Sequence, residues 1–192
     1  FSMQDTFNLG WKLAAVLRGQ ARPELLHTYS EERQVVAQEL IDFDREWARM
    51  FSDRPRHEEE GGAAAGVDPK AFQAYFEQHG RFTAGVGTHY RPSLICGEST
   101  HQNLATGFVI GTRLHSAPVL RVSDARPVHL GHAGKADGRW RLYAFAGAND
   151  LQDRQAGIHA LCEFLSQSHD SPVRRHTRPG QDVDAVFDVL AI

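Results

Sequence analysis

The chain has 192 residues, 41% of them hydrophobic and 23% charged, with a formal net charge of −3. That balance belongs to a globular protein rather than a disordered tail, and it offers no basic surface to nucleic acid. No apolar run approaches the roughly 20 residues of a membrane span, and Cys96 and Cys162 form neither a C-x-x-C pair nor a disulfide framework, which points to a reducing cytoplasm.

The first predicted element is a helix over residues 3–18, apolar nearly all the way round through Phe7, Leu9, Trp11, Leu13, Ala14, Val16 and Leu17, and stopped at Gly19. Such a helix needs burial on most sides. Nothing before it in this chain can bury it, so the expectation is a piece of a larger protein. Pro23 suits a first helical position, and Thr28 with Glu31 has capping-box spacing, which predicts a restart near Tyr29. Val36, Leu40, Phe43, Trp47 and Met50 then recur in steps of four and three, one apolar stripe on a helix over residues 30–51.

Residues 53–67 carry charge, Pro and Gly and are expected to be a linker between two domains, 1–52 and 68–192. Asp68-Pro69 opens another helix, with Phe72, Tyr75, Phe76 and His79 on one face, closed by Gly80. Short strands follow at 119–122, 127–130 and 140–146, with a turn at Asp137-Gly138 joining the last two. Along 140–144, Trp140, Leu142 and Ala144 alternate with Arg141 and Tyr143, the pattern of a half-exposed strand. Ile158, Leu161, Cys162 and Leu165 predict a helix over 151–168, and residues 183–192 read as a last strand. Strands, helix and strand in this order predict a small α/β sandwich.

Several segments carry a resemblance. Phe1-Ser2-Met3-Gln4-Asp5, with Asn8-Leu9, Trp11-Lys12-Leu13, resembles the last flavin-binding motif of the single-component FAD-dependent aromatic hydroxylases, the phenol 2-monooxygenase and 3-hydroxybenzoate 4-monooxygenase branch. The run Leu25-Leu26-His27-Thr28-Tyr29-Ser30-Glu31-Glu32-Arg33 and the segments 82–90, 111–119, 127–132 and 136–143 resemble that family in the same order. The resemblance implies an α/β fold: the helical tail end of an FAD-binding domain followed by a thioredoxin-like α/β sandwich domain. It implies FAD as cofactor, NAD(P)H as co-substrate, a phenolic substrate hydroxylated ortho to its hydroxyl, and a homodimer.

Within the chain, the resemblance assigns cofactor contact to Phe1, Ser2, Met3 and Gln4, whose amides at the helix start would face the flavin's pyrimidine edge and stabilise negative charge there. On local sequence alone, Ser2 and Asp5 read as helix N-caps, and Asn8 as a side chain hydrogen-bonded to backbone. No G-x-G-x-x-G occurs in the sequence, so the turn that receives an FAD pyrophosphate is not in it. No catalytic residue is assigned, and the isolated chain is expected to be inactive.

Other features point elsewhere only weakly. His129 and His132 are the closest histidine pair, but a strand would turn them to opposite sides, and no third ligand has suitable spacing, so no metal is expected. Cys162 falls in an apolar helical repeat and reads as inert core, while Cys96 beside Gly97 reads as exposed. Arg174, Arg175, His176 and Arg178 read as a solvated basic loop. The second function considered is a non-catalytic dimerisation module. A thioredoxin-type redox enzyme lacks its Cys pair.

Overall fold

The computed structural model describes residues 2–52, 69–147, 150, 153 and 157–192. The chain divides into two compact units, Phe1–His115 and Ser116–Ile192. The expected linker, 53–67, lies outside the described residues.

In the first unit, α1 spans Ser2–Leu17 and α2 spans His27–Ser52, joined through a 3-10 turn at Pro23–Leu26. The chain leaves α1 where Gly19 N donates to the Val16 carbonyl and Gln20 N to the Ala15 carbonyl. The predicted capping box at Thr28 does not form. Pro23, with φ fixed by its ring, starts the 3-10 turn, which runs directly into α2; Thr28 is thus already inside a helical segment, and its hydroxyl donates back to the Leu25 carbonyl at 2.6 Å.

The apolar stripe of α2 does face inward: Val36 is buried, and Leu40, Phe43, Trp47 and Met50 are half-buried. Phe43 and Trp47 pack on α3, Pro69–Thr83, with Phe43 ring centroids 5.9 Å from Tyr75 and 5.4 Å from Phe82, and Trp47 5.9 Å from Phe76. Offset and tilted rings at these separations attract one another beyond their buried area. α3 does not close at Gly80. It continues one turn further because the left-handed stop is at Gly85 (φ 70°), where Val86 N donates to the Arg81 carbonyl and Gly85 N to the Phe82 carbonyl.

In the second unit, β1 (Pro118–Arg121) and β2 (Arg126–His129) form an antiparallel hairpin, Pro118 opposite His129. The predicted pairing of the 127–130 and 140–146 strands across Asp137-Gly138 is not made. After β2 the chain enters a short helical turn, α4 (Leu130–Ala133), which carries it away from its strand direction. The next strand, β3 (Trp140–Ala144), pairs instead with β4 (Phe187–Ala191), in parallel, Trp140 opposite Phe187. Parallel neighbours need a long crossover; α5 (Gly157–Gln167) and α6 (Pro172–His176) provide it. Leu165 and Val173 are the buried apolar residues of these two helices, and the fully buried Ser171 hydroxyl donates to the Leu165 carbonyl at 2.7 Å. Part of the predicted 151–168 helix lies outside the described residues.

Three sequence expectations reverse here. Cys162 is exposed, because α5 turns Leu165 rather than Cys162 inward. Arg174, Arg175 and His176 lie on α6 rather than in a loop. On β3 the apolar face is open at its start, with Trp140 45% exposed, and closes only at the buried Ala144, whereas Arg141 is half-buried. The reason is electrostatic. Arg139 and Arg141 both bond Asp137 at 2.9 Å, and Arg139 also reaches Asp184 at 2.7 Å, so the charged side of the strand is covered by its own partners.

Arg121 and Asp124 pair across the β1–β2 turn, and the Arg126 amide donates to the same carboxylate at 3.2 Å. These bonds, the Arg121 guanidinium first, hold the Asp124 carboxyl down to about 2 from its ordinary 3.8. A lowered carboxylate contributes stability above its ordinary pKa and loses it as pH falls through the folded value. The hairpin is therefore expected to be fully held above about pH 4 and to loosen toward pH 2. An NMR titration of the Asp124 carboxyl carbon checks this, and Arg121→Gln should return its midpoint toward the ordinary value.

Candidate functional site: the polar underside of the first helix

α1 is turned the opposite way from its apolar reading. Its outward residues include Met3 at 85% exposed, Phe7 at 68% and Leu17 at 83%, while its two buried residues are Asn8 and Lys12. Asp5, Asn8 and Lys12 stand at i, i+3 and i+7, one face of a helix. That face meets Glu32 and Arg33 of α2.

Lys12 is fully buried and Glu32 nearly so. Lys12 Nζ bonds Glu32 Oε2 at 2.7 Å and donates to Asn8 Oδ1 at 2.8 Å. Asn8 Nδ2 donates to the same Glu32 oxygen at 2.6 Å. Asn8 thus bonds side chains, not backbone as local sequence suggested, because a buried lysine and carboxylate lie within its reach. One helical position away, Arg33 Nε donates to Asp5 Oδ1 at 2.5 Å and Arg33 Nη1 to the Tyr90 hydroxyl at 3.2 Å. Burial by itself lowers the Arg33 pKa; the hydrogen bonds to Tyr90 and Asp5 outweigh it and raise the value. Asp5 is consequently an ion-pair partner rather than an N-cap.

Tyr90 comes from the segment after α3. His89 pairs with Thr112 in an antiparallel bridge, and Tyr90 N donates to the Gly111 carbonyl at 2.9 Å. Gly111 has φ 84°, and a Cβ there would stand 2.2 Å from the Tyr90 carbonyl oxygen, so only glycine lets the two strands approach.

Asn8, Glu32, Arg33, Tyr90 and Gly111 line one side of a cleft of about 800 Å³ within the first unit. Met3, Gln4, Phe7 and Trp11 line it from α1, Val86, Ile95 and Cys96 from the segment beyond α3, and Glu32 and Arg33 from α2. Gln4 Nε2 donates to the Gly85 carbonyl at 3.1 Å, tying the helix start to that segment. Cys96 is half-buried rather than exposed, its thiol 3.7 Å from the Tyr90 carbonyl oxygen; burial, and next the Glu32 carboxylate, push its pKa up. That is the reverse of an activated nucleophile.

Of the four residues assigned to a cofactor, Phe1 lies outside the described residues. Ser2 and Met3 form the exposed first turn of α1, and Gln4 is half-buried beside Gly85. The sequence reading did not single out Lys12, Glu32, Arg33 and Tyr90. The i, i+3, i+7 spacing of Asp5, Asn8 and Lys12 was the signal for the first helix's inner face. Among the described residues no group of three or more His, Cys, Asp or Glu side chains is placed to hold a metal ion. His129 and His132 do come together, ring centroids 5.7 Å apart, because α4 interrupts the strand between them.

Residues 88–192 match the family model described as the phenol hydroxylase C-terminal dimerisation domain, and residues 1–44 match that of an FAD-binding domain. The chain is 70% identical over its whole length to the 3-hydroxybenzoate 4-monooxygenase of Comamonas testosteroni, of which it covers 29%. It is 38% identical, again over its whole length, to the FAD-dependent monooxygenase terD of Aspergillus terreus, covering 31% of that protein. The chain thus spans under a third of these relatives. Among solved structures, K252c-soaked RebC superposes with a TM-score of 0.52 at 23% identity, over 98% of this chain and 32% of that one. At that identity the likeness concerns the fold. No helix among the described residues is long and apolar enough to cross a membrane.

Two stability outcomes follow from the geometry. Lys12→Met leaves the Glu32 carboxylate buried without its cation and should cost about 3–5 kcal/mol in denaturant unfolding. Gly111→Ala, which drives a Cβ into the Tyr90 backbone from a left-handed position, should cost more than about 2 kcal/mol and quench any protection of the Tyr90 amide in hydrogen exchange.

Proposed function

Because the chain belongs to the phenol hydroxylase C-terminal dimerisation-domain family, we propose that it is the C-terminal part of an FAD- and NAD(P)H-dependent monooxygenase that hydroxylates a phenolic ring. Its 70% identity to a 3-hydroxybenzoate 4-monooxygenase carries the reading. Position 4 of that substrate adjoins the carbon bearing the hydroxyl, which favours attack ortho to a phenolic OH. The parent acts in the cytoplasm as a homodimer, and its thioredoxin-like domain takes in residues 68–192, of which 69–115 belong to the first compact unit and 116–192 make up the second. The parallel β3–β4 pair with its helical crossover supports that fold.

FAD, when bound, would take reducing equivalents from NAD(P)H and supply the activated oxygen. The chain's own residues contribute the start of α1. The amides at Ser2, Met3 and Gln4 lack helical acceptors, as in any first turn, and suit an electron-rich ring edge. Their effect is worth roughly 0.3–1 kcal/mol at an exposed end and up to ~2 kcal/mol when partly buried. The outward Met3, Phe7 and Leu17 provide an apolar flank that the remainder of a nucleotide-binding domain would cover. No glycine-rich turn for the pyrophosphate is in the sequence, so the chain supplies one edge of the cofactor site and no more.

The 192-residue chain alone is therefore expected to keep no FAD and to leave NADPH unoxidised. Gel filtration of the chain mixed with FAD checks this; flavin absorbance co-eluting with it would overturn the reading. A second role, dimerisation without chemistry, rests on the family match over residues 88–192. Light scattering of the 192-residue chain should show a dimer at micromolar concentration, and a monomer throughout the high micromolar range would remove that role.

A further inference from the structure

The fully buried contacts that hold the first helix are polar ones in its second and third turns, while Leu9, Trp11, Ala14, Ala15 and Val16 are half-buried. Phe7 and Met3 are exposed along the mouth of the cleft. What fixes the helix to α2 is the Lys12–Glu32–Asn8 cluster, with bonds of 2.6–2.8 Å and a lysine fully removed from water, and next to it the Arg33–Asp5 pair. A buried ion pair is a weak stabiliser compared with apolar side chains of similar volume. Its geometry, by contrast, is tightly specified: Glu32 Oε2 takes two donors, and Lys12 Nζ must meet both Glu32 and Asn8. Rotating α1 about its own axis, or sliding it by a turn, would break all three bonds together, whereas a greasy contact would tolerate either movement.

We propose that the Lys12–Glu32–Asn8 cluster is a positioning device that fixes the rotation and axial placement of α1, and so aims its first turn at the bound flavin. These are positioning residues and touch no reacting atom. The inference rests on the reading that Ser2–Gln4 face the flavin, and it adds to that reading the residues that keep the aim.

The test uses the full-length flavin-loaded protein and the variant Lys12→Met/Glu32→Leu, which replaces the pair by apolar side chains and leaves no uncompensated charge. Three quantities are read: thermal unfolding of the apoprotein, Kd for FAD, and the midpoint potential of the bound flavin. The expected result is a folded apoprotein whose unfolding falls only by what the Asn8 amide loses with its two partners, a Kd raised by about tenfold, and a lowered potential, since the positive helix end no longer favours the anionic reduced ring. A folded protein with unaltered Kd and potential would overturn the proposal. Should the double variant fail to fold, Asn8→Ala, which keeps the ion pair, carries the same two flavin readouts with the same deciding outcomes. Gln4→Glu separates the two levels of inference, because it places a negative charge at the helix start. If Gln4→Glu lowers the potential while the cluster variants do not, the positioning role falls and the reading of the helix start stands; if Gln4→Glu also leaves the flavin unmoved, both fall.

Discussion

A lysine with no contact with water organises the first unit. Removing Lys12 and Glu32 from solvent is costly, and the cost is offset only when each charge meets the other and the remaining polar atoms are bonded. Asn8 completes that condition by giving its oxygen to Lys12 and its amide to Glu32. Once these three are set, α1 and α2 have one relative placement, Asp5 comes within reach of Arg33, and Arg33 takes the Tyr90 hydroxyl. The segment beyond α3 is thereby attached to the helix pair, and the cleft beside Gln4 acquires its walls.

The same arrangement leaves the apolar side of α1 outward. Exposed apolar residues so large and so close in sequence mark a surface that serves an interaction. The helix that carries them lies within residues 1–44, which match an FAD-binding domain. In the second unit β3 shows the same inversion: charged partners cover the Arg139 and Arg141 side while Trp140 and Leu142 stay open.

Some of the fold was legible in the residues. The stripe from Val36 to Met50 named the inner face of α2 because helical period and burial coincide there. The flavin-hydroxylase resemblance was legible because the motif around Ser2–Leu13 is long and specific. The reading failed where local rules competed with distant partners. Thr28 looked like a cap, yet Pro23 had already begun the helical turn. Asp137-Gly138 looked like a hairpin, yet α4 sent β2 elsewhere and β3 found β4 more than forty residues downstream.

What the sequence determined was the longer helices, the positions of most strands and the family of the chain, because period and motif are written within a few residues of one another, whereas α4 and α6 were not read from it. Tertiary structure decided which face of α1 is inside. Counting apolar residues cannot reveal that choice, since it depends on Glu32 and Arg33, some twenty residues along the chain, arriving opposite Lys12, Asn8 and Asp5. The electrostatics of that meeting outweigh the hydrophobic pattern, and they exist only after the chain has folded back on itself.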